Sequence, residues 1–146
     1  MATTTAQITL NSSDISDNTI QISNLATLYT AGTNTGITET TGLARKKFAT
    51  ASEFILLDFG LAGSQMADIT ADKSAKVYIK NINGRGDGTK YAAVRINSIE
   101  IGRLYGNDFM FFPWKGGDGK DIDIQTYSGS SADATETTVE FCVFYE

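Results

Sequence analysis

Alternating apolar and polar residues predict an all-β chain, an antiparallel sandwich of jelly-roll type with little or no helix. Three observations carry that expectation. Between Lys76 and Trp114, short β-patterned runs succeed one another with turn residues between them: Lys76 to Asn81, Tyr91 to Leu104 and Asp108 to Trp114. No segment shows the sustained 3.6-residue periodicity of a long amphipathic helix. With 146 residues, 41% of them hydrophobic, the chain suits a single domain around one buried core.

Gln7 to Leu10 alternates and reads as the first strand, and Thr19 to Tyr29 as the second, through Ile20, Ile22 and Leu28. Asn11 to Asn18 between them is turn chemistry, because Asn, Asp and Ser side chains bond their own backbone. Ala31 to Gly42 is rich in Thr and Gly with little to bury, so residues 1–42 are read as an arm plus edge strands of the same domain. Leu43 to Thr50 and Phe54 to Phe59 follow. The unbroken apolar run Phe54 to Leu57 predicts a strand covered on both faces. Gly60 to Lys73 is the least regular stretch, with a short helical turn expected around Gln65 to Asp68.

Lys76 to Ile82 is the next strand, with Val77 and Ile79 on one side. Asn83 to Gly88 is a glycine-rich turn. Tyr91 to Ile96 and Ile99 to Leu104 form a tight hairpin about Asn97 and Ser98. Phe109 to Trp114 carries the only proline, Pro113, which places that run at a strand end or sheet edge. Ile122, Ile124 and Thr126 face inward on the following strand. In the last strand Val139, Phe141, Val143 and Tyr145 share one face, Cys142 and Phe144 the other. The expected core is Phe54, Leu56, Val77, Ile79, Val94, Ile96, Ile101, Ile122, Ile124, Phe141 and Val143.

The net charge is −5 and the one basic cluster is Arg45-Lys46-Lys47. That is a solvated strand edge rather than a phosphate track, so no nucleic-acid partner is expected. No apolar run approaches the roughly 20 residues of a membrane-spanning helix. The amino terminus lacks the basic and apolar regions of a signal peptide. Neither a membrane partner nor secretion is expected, and synthesis is placed in a cytoplasm. The single cysteine, Cys142, has no intrachain disulfide partner and reads as a buried thiol.

The chain has no histidine, which excludes Ser-His-Asp and Cys-His catalysis. Asp118, Asp121 and Asp123 read as solvated surface; the competing readings are a Ca²⁺ site and a carboxylate pair for glycoside chemistry. Arg85-Gly86-Asp87 matches an integrin-ligand tripeptide inside a turn, and the turn alone accounts for it. Trp114, with Phe109, Phe111 and Phe112, reads first as core packing, then as an interface anchor, then as a sugar platform. No enzyme activity, metal or other cofactor is expected.

Lys76-Val-Tyr-Ile-Lys-Asn81, the hairpin ending Ile101-Gly-Arg-Leu104, Asp108-Phe-Met-Phe-Phe-Pro-Trp114 and the closing Val139-Glu-Phe-Cys-Val-Phe-Tyr-Glu146 resemble small virion structural proteins of tailed phages, those infecting cyanobacteria above all. Within that group the chain is most like capsid decoration, or cement, proteins. The resemblance covers residues 76–146 and implies a non-enzymatic particle component on the exterior of a phage head. The implied partners are the major capsid protein and further copies of the chain, a trimer matching a threefold lattice position. The partner-binding residues expected on this reading are Thr33, Asn34, Thr35 and Ile37 in the arm, and Arg85, Asp87 and Trp114 in the turns. The alternative is a tail-fibre, head-fibre or baseplate module that binds a host receptor through the Arg85 and Trp114 turns.

Overall fold

Strands are the only regular elements among the described residues of the computed structural model, which are 3–13, 19–30, 32–48, 53–57, 74–86, 88–116, 120–131 and 136–145. The expected helical turn at Gln65 to Asp68 lies outside them. The chain divides into two units, residues 1–38 and 39–146.

The first unit is built on one antiparallel hairpin. β1 (Thr5–Ser12) and β2 (Ile20–Thr27) pair without a break, from Thr5 opposite Thr27 to Ser12 opposite Ile20. Among the described residues they form a two-stranded sheet with no third strand. Directly paired residues share a face, so Ala6, Ile8, Leu10, Ser12, Ile20, Ile22, Asn24 and Ala26 fall on one side. The other side carries Thr5, Gln7, Thr9, Asn11, Gln21, Ser23, Leu25 and Thr27.

The second unit is an antiparallel β-sandwich. One sheet has four strands in the order β5 (Phe54–Leu57), β10 (Ile122–Ser128), β7 (Lys90–Ile96), β8 (Ile99–Tyr105). The other has β3 (Glu39–Thr40), β11 (Thr138–Tyr145), β6 (Ser74–Asn81) and β9 (Phe109–Lys115), with β4 (Ala44–Lys47) also on β11. β3 and β4 both lie along β11, at Phe144 to Tyr145 and at Thr138 to Phe141 respectively, so they act as one edge interrupted near Gly42. Gly42 has a φ of +70°, the left-handed region that glycine enters without Cβ strain. Of the five connections from β6 to β11, only β7–β8 stays within one sheet; the others cross between sheets.

The inner faces meet as alternation predicts. Val77 and Ile79 of β6, Ala92 and Val94 of β7, Ile122 and Ile124 of β10, and Val139 and Val143 of β11 are all fully buried in one cluster. Phe48, Leu56, Leu57, Ala75, Leu104 and Trp114 complete it. Phe54, Ile96 and Phe141 are half-buried against it. The β7–β8 hairpin turns on Asn97 and Ser98, whose φ values of 51° and 61° are those of a two-residue turn with both centres left-handed. Pro113 sits on β9, an edge strand paired only to β6 among the described residues.

Two expectations about burial fail. Ile101 is 45% exposed, because it falls between the pairs Val94–Gly102 and Arg95–Glu100. It is the extra residue of a bulge, which takes it out of the core alternation. Ile55 is 51% exposed while Leu56 and Leu57 are buried, so β5 is not covered on both faces.

Candidate functional site

The β1–β2 ribbon is the largest departure from what a folded chain ordinarily shows. Ile8, Leu10, Ile20 and Ile22 are 39%, 53%, 45% and 50% exposed on its aliphatic face, and Leu25 is exposed on the other. Neither strand contains a charged residue. Edge strands are ordinarily protected by charge, proline or a bulge; both edges of this ribbon lack all three among the described residues. A lone two-stranded hairpin is marginal in water, and this one carries its apolar face uncovered.

The arm residues that sequence singles out lie just beyond the ribbon. Tyr29 and Gly36 form an antiparallel bridge, and Thr30 N–H donates to Thr35 C=O at 2.9 Å. The Thr30 and Thr33 hydroxyls bond each other, and Thr35 N–H donates to Thr33 Oγ1 at 3.1 Å. Thr33, Asn34 and Thr35 are exposed on this closed turn, whereas Ile37 is buried and donates its N–H to Leu28 C=O at 3.3 Å. Within the chain, this segment is ordered by its own hydroxyl and backbone bonds. The end of the expected arm belongs to the sandwich. β3 pairs with β11, Thr41 N–H donates to Val143 C=O, and Val143 N–H donates to Thr41 Oγ1, both at 3.0 Å.

Arg85 and Trp114 stand apart. Arg85 Nη2 donates to both carboxylate oxygens of Asp108 at 3.0 and 3.1 Å, and Asp108 also accepts from Tyr105 N–H. Trp114 lies at the other end of β9, roughly 20 Å away at strand rise. It is 4% exposed within the core, and its indole N–H donates to Lys120 C=O at 2.8 Å. Asp87 lies outside the described residues. The two turn residues are therefore not joined into one surface, and Trp114 presents no ring to solvent.

Beside Arg85, the loops at that end of the sandwich enclose a cleft of about 140 Å³ lined by Asn81, Asn83, Gly84, Lys90, Gly106, Glu136 and Thr137. Its amides are engaged with the walls. Asn81 Nδ2 donates to Leu104 C=O and its Oδ1 accepts from Asn83 N–H. Asn83 Nδ2 donates to Glu136 C=O at 2.8 Å, and its Oδ1 accepts from Thr138 N–H at 2.7 Å. A Cβ on Gly106 would lie 2.5 Å from Gly84 O, so the two turns touch through bare backbone. This is a clamp holding three loops together.

The acidic cluster is not surface, at least at Asp123. Asp123 is 5% exposed, and Arg95 Nε donates to its Oδ1 at 2.6 Å. Glu53 Oε1 approaches Arg95 Nη2 to 2.6 Å, although out of line for a hydrogen bond. Burial pushes the Asp123 carboxyl above its ordinary range; a hydrogen bond from Arg95 opposes this, and a shared bond with Glu53 adds to it. Alternation predicts a polar residue outward here, which is correct for direction. The outer face of β10 is covered by Arg95 from β7 and by Glu53, so outward is not exposed. Asp118 lies outside the described residues. Among the described residues no group of three or more His, Cys, Asp or Glu is placed to hold a metal.

Cys142 is buried, with its sulfur 3.4 Å from Thr40 Oγ1. Neighbouring Glu140 accepts from Arg45 Nε at 2.9 Å, and burial beside that carboxylate pushes the Tyr78 hydroxyl upward.

Comparison with known proteins leaves the reading to this geometry: no protein family, curated protein or solved structure matches the chain. Sequence reasoning passed over the ribbon face and the Glu53–Arg95–Asp123 cluster. The available signal for the first was two alternating strands with no charge between Gln7 and Leu10 or between Ile20 and Thr27. The second had none, since its members are far apart in the chain.

Proposed function

We propose that this chain is a non-enzymatic virion structural protein, a decoration protein that binds and stabilises the outer surface of a phage head. The observation that carries the proposal is the uncharged ribbon with its aliphatic face uncovered. Such a face gains roughly 25 cal/mol for each Å² it removes from water, and the ribbon's backbone edges are open to a partner strand. The sandwich supplies a well-packed body, and the sequence resemblance of residues 76–146 to small virion proteins suggests the particle. The major capsid protein is the partner proposed for the ribbon. Repetition on a symmetric shell multiplies a modest contact into avidity.

The test adds the intact chain, and the chain from Glu39 onward, to purified heads that lack this protein. The cut falls after Thr38 because β3 belongs to the sandwich. Binding by the intact chain and its loss in a truncated chain that still shows a cooperative β-sheet melt are expected. Equal binding by both removes the ribbon from the argument. Binding to cells but not to heads favours a receptor-binding fibre module instead.

A further inference from the structure

We infer that the outer face of the five-stranded sheet binds single-stranded nucleic acid, its lysines meeting the phosphates and its aromatic rings the bases. The inference goes beyond the decoration reading and is independent of it, since every residue of this face lies in the second unit.

Register builds the face. Val77 and Ile79 of β6 and Val139 and Val143 of β11 are wholly buried, so the alternate residues of those strands point outward. Directly paired residues share a side, which sets Lys76 beside Pro113, Tyr78 beside Phe111 and Lys80 beside Phe109, with Lys115 at the end of β9. On the other flank, Glu140 of β11 pairs with Lys80 and with Arg45 of β4, and Thr138 pairs with Lys47. Five of the twelve basic residues, Arg45, Lys47, Lys76, Lys80 and Lys115, share this face. In sequence order Lys76, Lys80 and Lys115 stand far from the Arg45–Lys47 run, and only the sheet gathers them.

The face is basic on an acidic chain. The net charge is −5, yet among the described residues the one acid on this face is Glu140. Glu140 is 8% exposed, and its carboxylate accepts from Arg45 Nε at 2.9 Å and from the Tyr78 hydroxyl at 3.5 Å. Lys47 and Lys115 are exposed, and Lys76 and Lys80 are half-buried. Cations with so little opposing charge among them raise the local concentration of a polyanion.

The rings decide which polyanion. Phe109 is 55% exposed, and Tyr78 and Phe111 are half-buried beside it. Lys115, Lys76, the Tyr78–Phe111 pair and the Lys80–Phe109 pair succeed one another at about 7 Å, two residues of strand rise. Cations and rings along one track hold an unpaired strand by its phosphates and by its stacked bases together. A duplex keeps its bases stacked inside, and its grooves admit a helix or a two-stranded ribbon rather than a five-stranded face. An acidic polypeptide would meet the lysines but brings no planar bases to the rings.

Fluorescence anisotropy of the full chain with a labelled single-stranded oligothymidine of about 20 nucleotides tests this. Four lysines meeting phosphates give a salt slope of about −2.8, so affinity is expected to fall about 50-fold between about 50 and 200 mM salt. Lys80→Glu is expected to weaken binding about tenfold or more. Phe109→Ala is expected to weaken it about fivefold or more, the loss of one stacked base. Ile99→Ala removes a side chain that is 67% exposed on the other sheet and is expected to leave binding unchanged. If Lys80→Glu disturbs the strand signal in circular dichroism, Lys47→Glu on the exposed strand β4 is the deciding variant and is expected to weaken binding as well. No binding at about 50 mM salt, or equal effects of the Phe109 and Ile99 variants, would overturn the inference. So would a labelled polyglutamate peptide, or a duplex of the same length, bound as tightly as the oligothymidine; the peptide result would assign the face to an acidic protein partner. Head binding is read separately, so failure here leaves the decoration reading standing, and loss of that reading leaves this face as it is.

Discussion

Trp114→Ala is expected to remove about 3–5 kcal/mol of stability, a large share of the roughly 5–15 kcal/mol that holds a domain together. The indole is 4% exposed and sits among Val77, Ile122 and the other fully buried side chains of both sheets. It lies opposite Ala75, whose small side chain leaves room for it and which is itself wholly buried. Truncation opens a cavity between the sheets and leaves the Lys120 carbonyl without its indole donor. Trp114→Phe retains most of the volume and is expected to cost less than half as much. Urea denaturation followed by circular dichroism is the measurement, since the chain has no second tryptophan to report by fluorescence. A loss below about 1 kcal/mol would place the ring outside the core and restore it as an interface anchor.

The second large effect lies on the outer face of the four-stranded sheet. Asp123→Ala is expected to cost about 3 kcal/mol, because it strands most of the charge of a half-enclosed arginine. Arg95 is only 15% exposed at its side chain, and Glu53 alone remains to balance it. The cluster also has a pH signature. Burial and Glu53 hold the Asp123 carboxyl above its ordinary value. The folded chain then binds that proton more tightly than the unfolded chain does. Stability from this group is present below the unfolded value and is lost as pH rises through the raised folded value. Asp123→Asn lacks the titration. As pH falls from neutral into the carboxylate range, wild type is expected to gain stability relative to Asp123→Asn. A difference independent of pH over that window would show a carboxyl that is not raised.

These two residues also mark what a sequence makes legible. The sandwich strands were readable because a half-buried sheet writes its inward face every second residue, and Val77, Ile79, Val94, Ile122, Ile124 and Val143 are buried as that period requires. The Asn97–Ser98 hairpin and the edge placement of Pro113 were readable because backbone chemistry confines those residues locally. Ile101 escaped because a bulge shifts register by one, and nothing in Ile99-Glu-Ile-Gly102 announces it. Asp123 escaped because its cover comes from Arg95 and Glu53, distant in the chain. Thr30 to Thr35 escaped because hydroxyl-to-backbone bonds, not apolar burial, give it order. The ribbon is the most instructive case. Alternation correctly reports that β1 and β2 each have an apolar face, yet it cannot say whether that face is covered by the same chain. Ile8, Leu10, Ile20 and Ile22 read like core strands and are left open.

That open face is the centre of the functional proposal, and a density map of the intact particle tests it most directly. The map is expected to show the sandwich repeated over the outer surface of the head, with the β1–β2 ribbon against protein and Leu10 and Ile22 covered. The sandwich at a fibre tip or baseplate, or on the head with both ribbon faces in solvent, would contradict it.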